Sequence, residues 1–299
     1  TQDLSFLKNY AAEYDPAAKL FYDATAVKNY KHFTYTAPDD PVAQPKNLQN
    51  IATYLVLRSQ ANAAAGSMNT AIDDVAVVWL AGHSMETTNN SVYGLYAGTA
   101  LRSMALDQMS ALLEKKPLTL EQQTRLIALV TKQPADVRTT IAILEDDIRL
   151  WPAMLKPQNT ATPEKLEEAS KIMMEAVKPL ESLEFRKQKA KFAEVEKARQ
   201  KAEEIIGKNQ ATSVGDVLTR KAVVDAKQAV LLTGLCVSAA NTQAPSGKAT
   251  NEEITALVAP IQDFLRDPFT GESPRVSNEG NGKFLITSGR DREVKVWDV

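Results

Sequence analysis

The sequence predicts a mainly α protein: antiparallel α-hairpins stacked into a superhelix-like array, followed by a small C-terminal antiparallel β-hairpin or sheet. Three observations predict it. Apolar residues recur at helical spacing, in segment after segment, as far as residue 240. Short polar turns carrying glycine, proline and capping residues separate those segments. After residue 265 the helical pattern stops, and proline, glycine and short alternating runs take over.

The elements follow in order. "LSFLKNYAAEY" and "PAAKLFYDATAVKNYKHF" read as helical, and "TYTAPDDPVAQPKN" as a loop, since Pro38, Pro41 and Pro45 exclude a helix interior. Leu48, Ile51, Leu55 and Val56 share a helix face that stops at Gly66. Ser67 and Asn69 are suited to cap the next helix, whose stripe is Ile72, Val75, Val78 and Trp79. A further helix carries Val92, Leu95, Leu101, Met104, Met109 and Leu112, and Pro117 breaks it. Thr119 with Gln122 has capping-box spacing and opens another, before "DVRTTIAILEDDIRLWPAML". No clean repeat of fixed period runs through these hairpins, so a tetratricopeptide array is not supported.

"PQNTATP" reads as a linker. Thr162 before Pro163 marks a helix start, and the charged stretch from Pro163 to Gly207 reads as one long helix with a narrow apolar stripe: Phe185, Phe192, Val195, Ile205 and Ile206. The sharper version of that reading is a helix offered to a partner as half of a coiled coil. Its basic cluster, Arg186, Lys187, Lys189 and Lys191, is interrupted by glutamates and carries little nucleic-acid signal. A last strongly apolar helix runs from Val214 to Asn241, then a short one is opened by the capping pair Thr250 and Glu253. The chain thus divides into an N-terminal helical domain, 1–156, a charged long-helix region, 157–216, and a C-terminal part, 217–299.

Composition sets bounds on function. With 299 residues, 44% hydrophobic and 24% charged, the chain has the make-up of an ordinary globular protein. Lys and Arg total 35 against 37 Asp and Glu, a net charge of −2, which offers no field for nucleic acid. The single cysteine, Cys236 in "AVLLTGLCVSAA", excludes an internal disulfide and a cysteine metal cluster and reads as a buried apolar residue. No stretch reads as a membrane span. The chain begins at Thr1 and not Met, so an upstream segment is expected to have been removed, and a pilin-like leader, a lipoprotein cysteine or a signal peptide there would each select a different reading.

The ending, "GKFLITSGRDREVKVWDV", looks like part of a WD-repeat blade. A propeller needs at least about four blades of four strands each, which the few strand-like residues cannot supply. The segment 217–299 has a better match. Asp267, Pro268, Phe269, Gly271 and Pro274, then a strand with Phe284 ending in Ser288, Gly289 and Asp291, resemble the C-terminal segment of type II secretion pseudopilins. The helical middle, including "GSMNTAIDDVAVVWLAGHSME", is similar to poorly characterised bacterial envelope proteins in which a helical domain precedes such a tail. The resemblance implies a periplasmic or cell-surface location and transfers no activity. Pseudopilin tails add glycines that help to build a calcium site, whereas here Arg290 and Arg292 flank Asp291 and oppose a cation. Asp291, Asp298 and Glu279 are the calcium candidates, Asp267 reads as a turn cap, Phe269 as packed under the hairpin and Trp297 as its apolar anchor.

Catalytic signals are sparse. His32 sits among aromatics, and His83 reads as a satisfied histidine at a helix end, with Ser84 beside it. No nucleophile elbow, phosphate loop, dinucleotide fingerprint or zinc-protease helix occurs. Glu145, Asp146 and Asp147, with Asp136 nearby, form the one acidic cluster, but neighbouring helix positions point about 100° apart, so the run does not converge unaided. The expected function is therefore non-enzymatic: protein binding or assembly at the cell envelope, without a cofactor. The alternatives are a carboxylate-based hydrolase around Asp146 and a self-assembling filament or shell subunit. The expected partners are proteins or further copies of the chain, not nucleic acid, with membrane contact only through an N-terminal anchor.

Overall fold

The computed structural model describes residues 7–26, 45–88, 91–115, 117–132, 138–154, 161–207, 211–280, 283–288 and 293–298. These are mainly helical. The α-helices are α1 (Leu7–Ala26), α2 (Pro45–Ala64), α3 (Met68–Thr88), α4 (Val92–Lys115), α5 (Leu120–Val130), α6 (Thr140–Met154), α7 (Pro163–Val177), α8 (Phe185–Ala190), α9 (Phe192–Ile206), α10 (Val214–Gln243) and α11 (Asn251–Val258). Strands β1 (Arg275–Gly280), β2 (Lys283–Ser288) and β3 (Glu293–Asp298) pair antiparallel in that order, Val276 opposite Ile286 and Phe284 opposite Trp297.

Local chemistry sets several boundaries. Both capping boxes form: the Thr119 hydroxyl accepts from Gln122 N at 3.3 Å while Thr119 N donates to Gln122 Oε1 at 3.0 Å, and Thr250 with Glu253 does the same at 3.2 and 2.7 Å. Gly66, at φ +86°, takes the left-handed conformation that turns the chain from α2 into α3. Pro163 opens α7 at its first turn.

Two sequence expectations need correction. The stretch from Pro163 to Gly207 is not one helix. It breaks at the 3-10 turn Lys178–Leu180, where Pro179 withholds an N–H, and again between α8 and α9. The break lets α9 fold back on α7, so that Met173, Val177, Val195 and Ile206 share one core and the narrow stripe is satisfied internally. Secondly, α10 is long and apolar enough to cross a membrane, with no charged residue from Gln228 to Gln243. Its apolar window is 72% buried within the protein, which is the behaviour of a core helix. The boundary expected at 216–217 falls inside this helix, and the one at 156–157 lies outside the described residues. His32 and residues 34–44 of the expected loop lie outside them as well, while residues 45–47, expected in that loop, form the first turn of α2, where a proline is tolerated.

The buried side chains form two apolar cores. One gathers Leu55, Ile72, Val75 and Trp79 with Leu101, Met109, Leu126, Leu231 and Leu235, and reaches Ile286 on β2. The other gathers Val92 and Leu95 of α4 with Ile143, Leu144 and Trp151 of α6, then Leu166 and Leu218. Helices α4 and α10 serve both: their first turns line the second core and their later turns the first. Around the first core, α1, α2 and α3 are tied by polar side chains. Asp74, fully buried, accepts from Tyr22, from Arg58 at 2.6 Å and from Asn62 at 3.0 Å, while Asp15 accepts from Arg58 at 2.8 Å and Tyr54 at 2.6 Å. Asn241 at the end of α10 binds Asn278 of β1 and the Ala249 N–H, which fastens the strand segment to the helical body.

Candidate functional site

The most unusual chemistry among the described residues is a charged layer where α3, α4 and α10 meet, buried at Glu86 and Arg102 and half-buried at Lys221 and Asp225. Trp79, His83 and Glu86 stand four and three residues apart on α3, so they share a face. Lys221, Asp225 and Gln228 repeat that spacing on α10, and Arg102 comes from α4. In sequence, Lys221 falls between Leu218 of one core and Val224 of the other, and Arg102 follows Leu95 of one core by about two turns and borders Leu101 of the other. The charges thus lie near the junction of the two cores.

The helices come close enough for this because two glycines meet. A Cβ on Gly98 would stand 2.6 Å from Gly82 O and from Glu86 N, and one on Gly82 would stand 2.8 Å from Gly98 O. Backbone therefore packs on backbone, and the side chains on either side interlock. Arg102 Nη1 donates to Glu86 Oε2 at 2.6 Å, and its Nη2 donates to Gln228 Oε1 at 2.5 Å and reaches Asp225 at 3.4 Å. Lys221 Nζ pairs with Asp225 at 2.5 Å and lies 3.2 Å from Glu86 Oε1. The Arg102 guanidinium also sits 4.7 Å from the Trp79 ring centroid, a cation–π contact, and the His83 ring stacks on Trp79 with 5.7 Å between centroids. Gln228 passes its amide on to Val130 O at 3.1 Å.

Two carboxylates thus meet two cations, and the layer balances. Burial opposes the charge on Glu86, but Arg102 and Lys221 outweigh it and hold that carboxyl below the usual range. Burial, helped by the nearby positive charge of Arg102, pushes His83 down to about 4. Both His83 ring nitrogens are buried without a hydrogen-bond partner. The satisfied helix-end histidine expected from sequence is corrected on both counts: His83 lies inside α3, more than a turn before its end at Thr88, and is held neutral and unbonded.

The acidic run on α6 goes to separate partners. Glu145 and Asp146 face Arg149, and Asp146 also takes Arg138. Asp147 points elsewhere: it accepts from Val92 N at 3.2 Å, the first N–H of α4, and lies 3.5 Å from the Thr212 hydroxyl. It caps α4 from a distant helix, and burial raises its pKa. The three carboxyls do not form an acid–base pair around Asp146. Asp136 lies outside the described residues. Cys236 is buried, and burial pushes its thiol up to about 12.

In the pseudopilin-like string, Asp267 is fully buried and caps its turn: it accepts from Phe269 N at 2.7 Å, and its own carbonyl accepts from Gly271 N at 2.7 Å, with Gly271 at φ +76°. Pro268 fixes the entry to that turn and Pro274 precedes β1. Phe269 packs edge-on to Phe185 of α8, 5.1 Å between centroids. Ser288 ends β2, while Gly289 and Asp291 lie outside the described residues, as do the side chains of Glu279, Phe284, Trp297 and Asp298. Among the described residues no three His, Cys, Asp or Glu side chains converge as a metal site would require.

The sequence reading missed Glu86, Arg102, Lys221, Asp225 and Gln228. A signal existed: Arg102 follows Leu101 in an otherwise apolar stripe, and a long charged residue there is rarely buried unless paired. No protein-family model, curated protein or solved structure matches the chain.

Proposed function

We propose that the chain is a non-enzymatic component of the bacterial cell envelope that binds or assembles with other proteins. On this reading the α-hairpins stack into an extended array and the C-terminal sheet closes one end. The observation that supports it most is the fate of the buried and half-buried acids and bases. Glu86, Asp225, Arg102 and Lys221 neutralise one another, Asp147 caps a helix and Asp74 ties three helices together. Such groups give a helical array a fixed shape, which is what a binding scaffold needs.

The test combines location and contact. The chain is expressed in its native cell with a photo-crosslinking residue at exposed Tyr93 or Val223, whose side chains meet no structural demand (66% and 41% exposed). The reading expects the protein in the envelope fraction and discrete adducts, each identified by mass spectrometry and lost when the probe is moved to a buried position. A protein recovered in the cytosolic fraction without adducts at any exposed position would overturn it.

A further inference from the structure

Helix α8 and the Asp267 turn build a small basic and aromatic pocket that the sequence resemblance does not explain. Phe185 and Phe269 meet edge-to-face at 5.1 Å and wall a cavity of about 210 Å³, whose remaining lining is Arg186 and Lys189. Lys189 Nζ lies 5.8 Å from the Phe269 ring centroid. Arg186 donates to Thr270 O at 3.4 Å, which links α8 to the turn. Among the described residues, neither Arg186, Lys187 nor Lys189 is paired with a carboxylate, and all three side chains are exposed. Two acids close in sequence to the cluster face other cations: Glu194 holds Lys191 at 3.1 Å, and Glu184 lies 3.9 Å from Arg266. The basic cluster noted in the sequence thus gains an apolar floor from a turn far along the chain, at Phe269.

We propose that this pocket binds an acidic segment of a partner protein, taking one apolar side chain into the cavity that the two phenylalanine rings wall and its flanking carboxylates onto Arg186, Lys187 and Lys189. The proposal rests on the protein-binding reading and names the chemistry of one partner. Charge complementarity selects the occupant: free cations sit at the rim of an otherwise acidic protein of net charge −2. The cavity has room for a side chain, and the cations are confined to a helix of six residues, Phe185–Ala190. A nucleic-acid strand needs a longer basic track for its phosphates and rings open for stacking, whereas these rings already cover each other edge-to-face. An acidic peptide needs only the short array present here.

The test is fluorescence anisotropy with the full chain and a fluorescein-labelled peptide of sequence Glu-Asp-Phe-Glu-Asp-Leu-Glu. The expected result is saturable binding that weakens by about tenfold or more in the Arg186→Glu, Lys189→Glu double variant. Because both side chains are exposed, its circular dichroism and melting profile should match the parent. A second peptide with Ser in place of Phe and Leu should bind several-fold more weakly, since the cavity is then unfilled. Equal affinity of the two peptides, or unchanged binding by the double variant, would overturn the proposal. So would tighter binding of an oligothymidylate or of phosphatidylserine vesicles that the double variant loses, since the site would then read phosphate. If in-cell adducts form while this peptide fails to bind, the protein-binding reading survives and only this pocket assignment falls.

Discussion

Arg102 on α4 and Glu86 on α3 form an ion pair at 2.6 Å with almost no solvent, their side chains 3% and 1% exposed. A pair so deep gains little net energy over apolar packing but leaves a large penalty if one partner is removed. Glu86→Leu or Arg102→Met alone is therefore expected to cost about 3–5 kcal/mol in urea unfolding. The double variant Glu86→Leu, Arg102→Met should cost clearly less than the sum of its single changes, because Lys221 and Asp225 still pair with each other at 2.5 Å. Strict additivity would show that the two charges do not depend on each other.

The glycine contact beside this pair makes a sharper steric demand. At Gly98 an added Cβ meets backbone atoms at 2.6 Å, and backbone cannot turn aside as a flexible side chain can. Gly98→Ala is expected to lower stability by about 1–3 kcal/mol, with a similar loss for Gly82→Ala. Gly215→Ala is the control, since its Cβ would meet only the Phe192 ring, at 3.2 Å. Thermal unfolding of the three variants checks the order, and equal melting temperatures would refute the close α3–α4 approach.

Much of the helical order was readable because it rests on local chemistry. The Thr119–Gln122 and Thr250–Glu253 boxes and the Gly66 turn are sequence-local devices, and each formed where its residues stand. The charged layer was not readable, because its members come from positions as far apart as Glu86 and Asp225, and only the packing of three helices brings them together. The long helix read across Pro179 failed for a related reason. A charged stretch with few apolar residues fits one solvated helix or two that fold on each other, and the choice depends on whether α7 and α9 can bury Val177 and Val195 together. The acidic run misled in the opposite sense: Glu145, Asp146 and Asp147 are neighbours in sequence but serve different partners.

Asp147 supports a prediction of its own. Its acceptor role at Val92 N needs an oxygen and not a charge, and burial already favours its protonated form. Asp147→Asn should therefore stay within about 0.5 kcal/mol of the parent, while Asp147→Ala should lose about 1–2 kcal/mol, the usual worth of a helix N-cap. Chemical denaturation distinguishes the two. Equal losses would mean that the charge, through some other partner, is what stabilises the fold.

His83 sets a pH dependence whose sign is fixed by its surroundings. Its pKa falls from 6.5 in the unfolded chain to about 4 in the fold, because burial and then Arg102 oppose the imidazolium. Above pH 6.5 both states hold the neutral ring and no difference arises. As pH falls through 6.5, the unfolded chain takes up a proton that the folded chain refuses until about pH 4, so the fold loses stability across that window. At about 1.4 kcal/mol per pKa unit, the loss between pH 7.5 and pH 5 is about 2 kcal/mol. Glu86 adds a loss of the same sign, but only below its unfolded value of 4.5, so the two windows separate. His83→Met removes the titrating group while keeping apolar contact with Trp79, and should flatten the stability profile between pH 7.5 and pH 5 even if it shifts the whole curve. Urea unfolding of both proteins at half-unit pH steps reads this directly. Parallel profiles for parent and variant would show that the imidazole is already charged, or already bonded, inside the fold.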